Sequence, residues 1–495
     1  MAKAITRWSL ATALVVGCVA SQAMVNQAVA QRDIQTVTSM SSAERAEGAK
    51  AHPELLKEFG GLYQGPQAAY VVQVGRKIAV QSSLSSQQND FTVSLLNSQV
   101  NNAFAIPGGY VYVTRQLLAL MNDEAELAGV LGHEVGHVAA QHGKKRQSAA
   151  QRNSILGALG QVLIGAVAGA LGGLLQRGVG QGAQLLTLKY SRTQEYEADD
   201  LGIRYLAKAG YDPEALSSML ASLAAQTTLD GQVSGTPSAI PEWASTHPDP
   251  ASRVQRALVN ARATKSSGKL RNADIFIGQL DGLLYGDDPA QGIVTNGQFM
   301  HPGLKLKFRV PSGFAVDNQA NAVSITGQSA KAQFAGAPFN GNLDAYVQSV
   351  FVALAGQGSQ IPTIPTQRTT INGLPVSHGQ ASMSNSQGSR LSVTVMAYQF
   401  GPNSAYHFLL VTPAGQGLGA LQPMVDSLSR MTDQEAAGVK ARRIRLVTVK
   451  SGDTAASLSR QMAYEDNQLE RFNVLNGLGA NRSLTPGKKV KLVVF

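Results

Sequence analysis

Two histidines four residues apart, His133 and His137, stand in "MNDEAELAGVLGHEVGHVAAQH", a stretch with no proline whose apolar residues recur at helical spacing. The spacing predicts one helix with both imidazoles on a single face. Two imidazoles so placed can reach one tetrahedral Zn2+, which makes the rest of the fold answerable for a third ligand. Glu134 lies beside them, placed to take a proton from an attacking water. The bland alternative is a surface helix with two solvated histidines. His142 falls about half a turn off the shared face and is read as no ligand. Gln141-His142-Gly143 also fails to supply the spaced third histidine of a metzincin.

A third ligand is available in "SRTQEYEADDLGIRYLAKAGYDPEAL", which reads as a helix ended by Gly210 and restarted after Pro213. Glu195 and Asp199 share one face of it. A glutamate added to two histidines gives a set with one open position, the catalytic type of zinc site. Asp199 could accept a hydrogen bond from the outer nitrogen of a ligand histidine and fix its tautomer. Glu197 lies roughly 160° from Asp199 around the helix and is expected to be solvated.

At 495 residues the chain is expected to hold two to four domains. Lys3 and Arg7 precede "WSLATALVVGCVA", an apolar run suited to a signal-peptide core, so export is expected. Two cleavage readings compete. "AVA" at Ala28–Ala30 gives a soluble periplasmic protein, the favoured form, whereas Cys18 in "VVGC" would give an outer-membrane lipoprotein. Cys18 is the only cysteine, so the folded part has no disulfide. The net charge of +10 is concentrated at the end, where residues 441–495 hold ten Lys or Arg against four Asp or Glu. That suits an anionic polymer or membrane surface, and no nucleic-acid module accompanies it.

"NAFAIPGGYVYVTRQLL", "NDEAELAGVLGHEVGHV", "SRTQEYEAD" and "STHPDPASR" together resemble the M48 family of zinc metallopeptidases, in its periplasmic, BepA-like branch of outer-membrane quality-control proteases. The resemblance covers roughly Ala43 to Arg262. It implies a mainly α, zincin-type (gluzincin) domain with a small edge sheet. It further implies one zinc per chain on His133, His137 and Glu195, Glu134 as general base and Asp199 as the acid behind a ligand. His247 matches a histidine that either approaches the metal as a fourth ligand or stabilises the reacting oxyanion; Arg253 matches the family's arginine. The edge strand beside the zinc helix, Asn102, Ala103, Phe104 and Ala105, is the candidate for pairing with an extended substrate backbone. The uncharged segment Ile155–Leu175 is long enough to span a membrane, but its glycines and the resemblance favour a lid.

Beyond Arg262, "ATKSSGKLRNAD" opens an expected linker, 263–296. Residues 297–431 alternate apolar and polar residues around one helix, an α+β domain vaguely similar to PsbP-like or Mog1-like folds. Its His301, His378 and His407 are scattered and read as structural. After a second expected linker, 432–445, the stretch 446–495 resembles a LysM module, strand, two helices, strand. That resemblance implies peptidoglycan binding in a shallow groove, with Gly452, Asp453, Thr454 and Leu484 as candidates. The domains expected are thus a signal peptide (1–30), the peptidase (31–262), the α+β domain and LysM. The function expected is an exported zinc endopeptidase acting on unfolded or misassembled outer-membrane or periplasmic proteins and anchored to the wall. The alternative is a chaperone-like assembly factor whose zinc site is self-inhibited.

Overall fold

A computed structural model of the chain describes residues 34–146, 189–234, 247–355, 361–384, 390–479 and 483–495. The expected leader with Cys18 and the segment Ile155–Leu175 lie outside the described residues, and no helix among the described residues is long and apolar enough to cross a membrane.

The first helices among the described residues are α1 (Ser42–Glu58), its first turn closed by a capping box between Ser41 and Glu44, and α2 (Gln67–Ala79). Strands β1 (Thr92–Leu96), β2 (Ala103–Ile106) and β3 (Tyr110–Thr114) form a sheet ordered β1-β3-β2, with β1 parallel and β2 antiparallel to β3. A short α3 (Arg115–Leu120) leads to α4 (Glu124–Ala139), started by Asp123, whose side chain accepts from the Glu126 N–H. All of α4 except Val138 is buried, so it is the central helix of this part rather than a surface one. The helix is shorter than the expected stretch. It ends at Ala140, and Gln141 turns the chain with a left-handed φ of 55°.

Ser191 caps α5 (Arg192–Lys208) through a box with Gln194, and Gly210, at φ 81°, ends it. Helices α6 (Ala215–Ser234) and α7 (Pro250–Ala263) complete this part. Glycines let α4 and α5 approach closely. A Cβ on Gly202 would sit 3.1 Å from the His133 nitrogen, and one on Gly136 would sit 3.3 Å from the Ala198 carbonyl oxygen. Those two absent side chains bring the acidic face of α5 against the histidine face of α4.

The stretch 263–296 is not a linker. It carries α8 (Ala273–Gln279), which buries Phe276 completely, then β4 (Leu284–Tyr285) and β5 (Ile293–Thr295). The α+β part adds β6 (Gln298–His301), β7 (Leu306–Arg309), β8 (Ala315–Asn318), β9 (Ala322–Thr326), β10 (Lys331–Gly336), α9 (Leu343–Ala355), β11 (Thr366–Ile371), β12 (Leu374–Ser384), β13 (Arg390–Gly401), β14 (Ser404–Pro413), α10 (Gln422–Ser427) and β15 (Ser429–Arg430). Its large antiparallel sheet runs β11-β12-β13-β14-β10-β9-β8, and a second sheet runs β15-β7-β6-β5. Period-two alternation puts Val393, Val395 and Leu409 against α9 on one face of the large sheet. Phe334, Met396 and Phe408 on the other face meet Phe299 and Phe308 of the second sheet.

The second expected linker is ordered too, as α11 (Asp433–Gly438) and the start of β16 (Arg442–Thr448). Then come α12 (Ala455–Ser459), α13 (Gln468–Leu475) and β17 (Lys489–Val494), with β17 antiparallel to β16 and β4 on the other edge of β16. Strand β4 therefore belongs to the C-terminal sheet although it precedes the α+β part. Lys491 of β17 is fully buried: its Nζ donates to the carbonyls of Ala119 (2.8 Å), in the last turn of α3, and of Met121 (2.7 Å), which caps α3 ahead of α4. Val37–Phe495 accordingly belongs to one contact unit.

Candidate metal centre

The α4–α5 contact brings together side chains far apart in sequence. His133 Nε2 and His137 Nε2 lie 3.0 Å apart, and the two carboxylate oxygens of Glu195 lie 3.6 Å from the first and 3.5 Å from the second. His247, just before α7, places Nδ1 3.1 Å from Glu195 Oε1 and Nε2 3.7 Å from Glu134 Oε1. One donor atom each from His133, His137, Glu195 and His247 lies within 4.8 Å of the others. None of these residues, nor Glu134, is more than 2% exposed.

A second layer holds the donors. Asp199 Oδ1 lies 3.0 Å from His133 Nδ1, and Arg253 grips both oxygens of Asp199 at 2.9 and 2.6 Å while pairing its remaining nitrogen with Glu195. That bidentate clamp neutralises carboxylates that would otherwise sit uncompensated in the interior.

The electrostatics follow from this company. Burial acts to raise Glu195, but His247 and Arg253 hold its carboxyl well below the ordinary range. Burial likewise acts against Asp199 ionisation and is overcome by Arg253. Glu134 goes the other way: burial pushes its carboxyl up, only partly offset by His247 and His133. Burial holds the His137 ring well below its usual proton affinity, whereas in His247 the same effect is outweighed by Glu195 and Glu134, and its affinity rises. Two imidazoles and a carboxylate, with a third imidazole at hand, are the donor types zinc takes. Glu134 Oε1 is buried and accepts no hydrogen bond among the described residues, as a base awaiting its proton would.

Sequence reasoning missed four partners. His142 is completely buried with Nδ1 2.8 Å from His137 Nδ1, and its Nε2 lies 3.0 Å from Glu197 Oε2, so Glu197 is not merely solvated. The half-turn offset assumed a helix continuing through His142, whereas the left-handed Gln141 swings it back under His137. The ring of Tyr190 stacks on His137 at 3.7 Å between centroids, and the Arg146 guanidinium covers Tyr190 at 3.7 Å. Nothing in the spacing of Tyr190 signals this, though it directly precedes the cap of α5.

Asn102 adjoins β2, which holds Ala103, Phe104 and Ala105 at the edge of its sheet. Phe104 turns inward, stacking on Tyr112 at 4.6 Å. Gly452, Asp453 and Thr454 form the turn into α12, Thr454 capping that helix, and Leu484 is half-buried. His301, His378 and His407 do not join the cluster.

Residues 66–260 match peptidase family M48. The beta-barrel assembly-enhancing protease of Yersinia pestis is 31% identical over 231 residues, which is 46% of this chain and 46% of that protein. Its counterpart in Escherichia coli (strain K12) is 29% identical over 42% of each chain. The mitochondrial metalloendopeptidase OMA1 of Bos taurus is 30% identical over 34% of this chain and 31% of its own. Each match thus spans less than half of the relative's length. With its helix pair, its converging donors and the family's use of zinc, residues 66–260 are a metallopeptidase domain of family M48.

Proposed function

We propose that the chain is an exported zinc-dependent endopeptidase that hydrolyses peptide bonds in unfolded or misassembled envelope proteins and is held to the cell wall by its C-terminal part. The observation that carries this reading is the convergence of His133, His137, Glu195 and His247 donors within 4.8 Å, beside Glu134, whose Oε1 accepts no hydrogen bond among the described residues. His133, His137 and Glu195 would hold the zinc, whose Lewis acidity polarises a peptide carbonyl and acidifies water. Glu134 takes the proton of the attacking water and delivers it to the leaving amine; burial raises its proton affinity, which favours taking up that proton. Arg253 keeps Asp199 and Glu195 ionised and in place. Strand β2, at its sheet edge, would pair with an extended segment, which selects for unfolded chain more than for sequence.

His247 supports a second reading. As a neutral imidazole it is a fourth donor that would close the site, giving a chaperone-like binder; protonated, it would donate to the oxyanion and promote turnover. The names of the two bacterial relatives, beta-barrel assembly-enhancing proteases, support an envelope substrate. The β16–α12–α13–β17 order supports the LysM reading, with Gly452, Asp453, Thr454 and Leu484 as the glycan contacts. Co-sedimentation of the full mature chain with peptidoglycan sacculi tests it: no pelleting would remove the anchor.

The decisive experiment is casein hydrolysis by the zinc-loaded mature chain beside Glu134→Gln and His247→Ala. Cutting by the wild type and none by Glu134→Gln at equal zinc content supports the enzyme, and faster cutting by His247→Ala makes His247 a brake. No cutting by any of the three, with zinc bound, favours the closed binder.

A further inference from the structure

The two histidines on α4 are braced differently. His133 turns its outer nitrogen to a carboxylate, Asp199, at 3.0 Å. His137 turns its outer nitrogen to another imidazole, His142, at 2.8 Å, and only beyond that ring, 3.0 Å further on, stands a carboxylate, Glu197. We infer that His142 and Glu197 are positioning residues for the metal: a two-step relay that fixes the tautomer of His137 and keeps its Nε2 lone pair aimed into the site. The inference deepens the zinc reading above and rests on it.

The proton inventory leaves one arrangement. His137 faces His133 and Glu195 with Nε2, so a ligating His137 carries its hydrogen on Nδ1. That N–H can donate to His142 only if His142 Nδ1 is bare, which puts the His142 hydrogen on Nε2, where Glu197 Oε2 accepts it. Every hydrogen then points away from the metal. Without Glu197 the two tautomers of His142 come closer in energy, and the wrong one sets an N–H against the N–H of His137. Rotation of the ring is restrained separately, since Tyr190 covers one face of His137.

His142 is completely buried and Glu197 has a side chain 23% exposed, so the acid can be altered without opening the core. The test is zinc affinity, measured by competition with a chromophoric chelator on the mature chain, alongside thermal unfolding of the metal-free protein. His142→Ala and Glu197→Ala are expected to weaken zinc binding roughly 10- to 100-fold, the usual cost of losing a partner behind a ligand. Glu197→Gln keeps an acceptor for the His142 N–H and is expected to stay within about threefold of wild type, a smaller loss than that usual cost. A merely structural role would lower the unfolding temperature of the metal-free protein and leave zinc affinity alone. Wild-type affinity in Glu197→Ala, or equal weakening by Glu197→Gln and Glu197→Ala, overturns the relay; because Glu197 is only partly buried, this holds even where His142→Ala fails to fold. If the wild type itself holds no zinc, or His133→Ala holds it as tightly as the wild type, the zinc reading fails instead.

Discussion

His247 in the helical part and His407 in the seven-stranded sheet are both buried, 2% and 7% exposed, and they behave oppositely. His407 has Tyr346 for company, its Nδ1 2.9 Å from the phenol oxygen, and burial pushes its ring down to about 4, so it is a neutral packing residue. His247 sits between Glu195 and Glu134, and those carboxylates overcome the same burial to raise its proton affinity. Burial alone selects the neutral ring. Acids around it select a ring that carries a proton or a metal, and among the described residues the α4–α5 part has assembled them.

The contrast can be broken or sharpened at four points. Glu134→Gln keeps size and hydrogen bonding but removes the base, and hydrolysis of casein should fall by about 10²–10⁴-fold while zinc content is unchanged. Retained activity would mean the acids serve stability alone, as Tyr346 does for His407. Arg253→Met leaves Asp199 and Glu195 as buried charges without their cation; a loss of about 3–5 kcal/mol in urea unfolding of the metal-free protein is expected. An unchanged midpoint would show that the clamp is not needed to hold the acids.

Lys491→Met strips the donors from the Ala119 and Met121 carbonyls, with a loss of about 1–3 kcal/mol. Burial pushes the Lys491 ammonium from 10.5 down to about 7, against the pull of Glu126 and Asp123. Between those values the unfolded chain binds more protons than the folded one, so this group's contribution rises with pH from about 7 to 10.5. Glu126, raised by burial and by Asp123 from 4.5 to about 7, acts oppositely: the folded chain binds more protons there, and its contribution falls as pH rises through that window. The rise above pH 7 should be missing from unfolding curves of the Met variant; if it persists, Lys491 is not its source. Last, His407→Gln should cost about 1 kcal/mol in unfolding, the value of one buried hydrogen bond, with zinc affinity and hydrolysis as in the wild type. A change in zinc affinity would erase the distinction between the two regions.

The four-residue spacings of His133 with His137 and of Glu195 with Asp199 were legible because helical periodicity turns spacing into a shared face. Which helix faces which was not legible from the residues alone, since it depends on Gly136 and Gly202 letting backbones touch. His142 escaped because one left-handed residue, Gln141, breaks the periodicity on which its placement was reckoned. The polar stretch after Arg262 looks like a linker because loop composition says nothing of β4, which finds its partner, Arg442–Arg443, far along the chain. Lys491, one of ten basic residues at the chain's end, carries no mark in the sequence that it lies inside.

That buried lysine has a mechanical consequence. Its Nζ is hydrogen-bonded to the residues that lead into α4, the helix of His133 and His137, so the last strand and those histidines belong to one contact unit. Should the C-terminal part grasp a wall polymer as proposed, the candidate metal centre would be tethered to that foothold through Lys491 itself, and chains passing close to the wall would be the first within its reach.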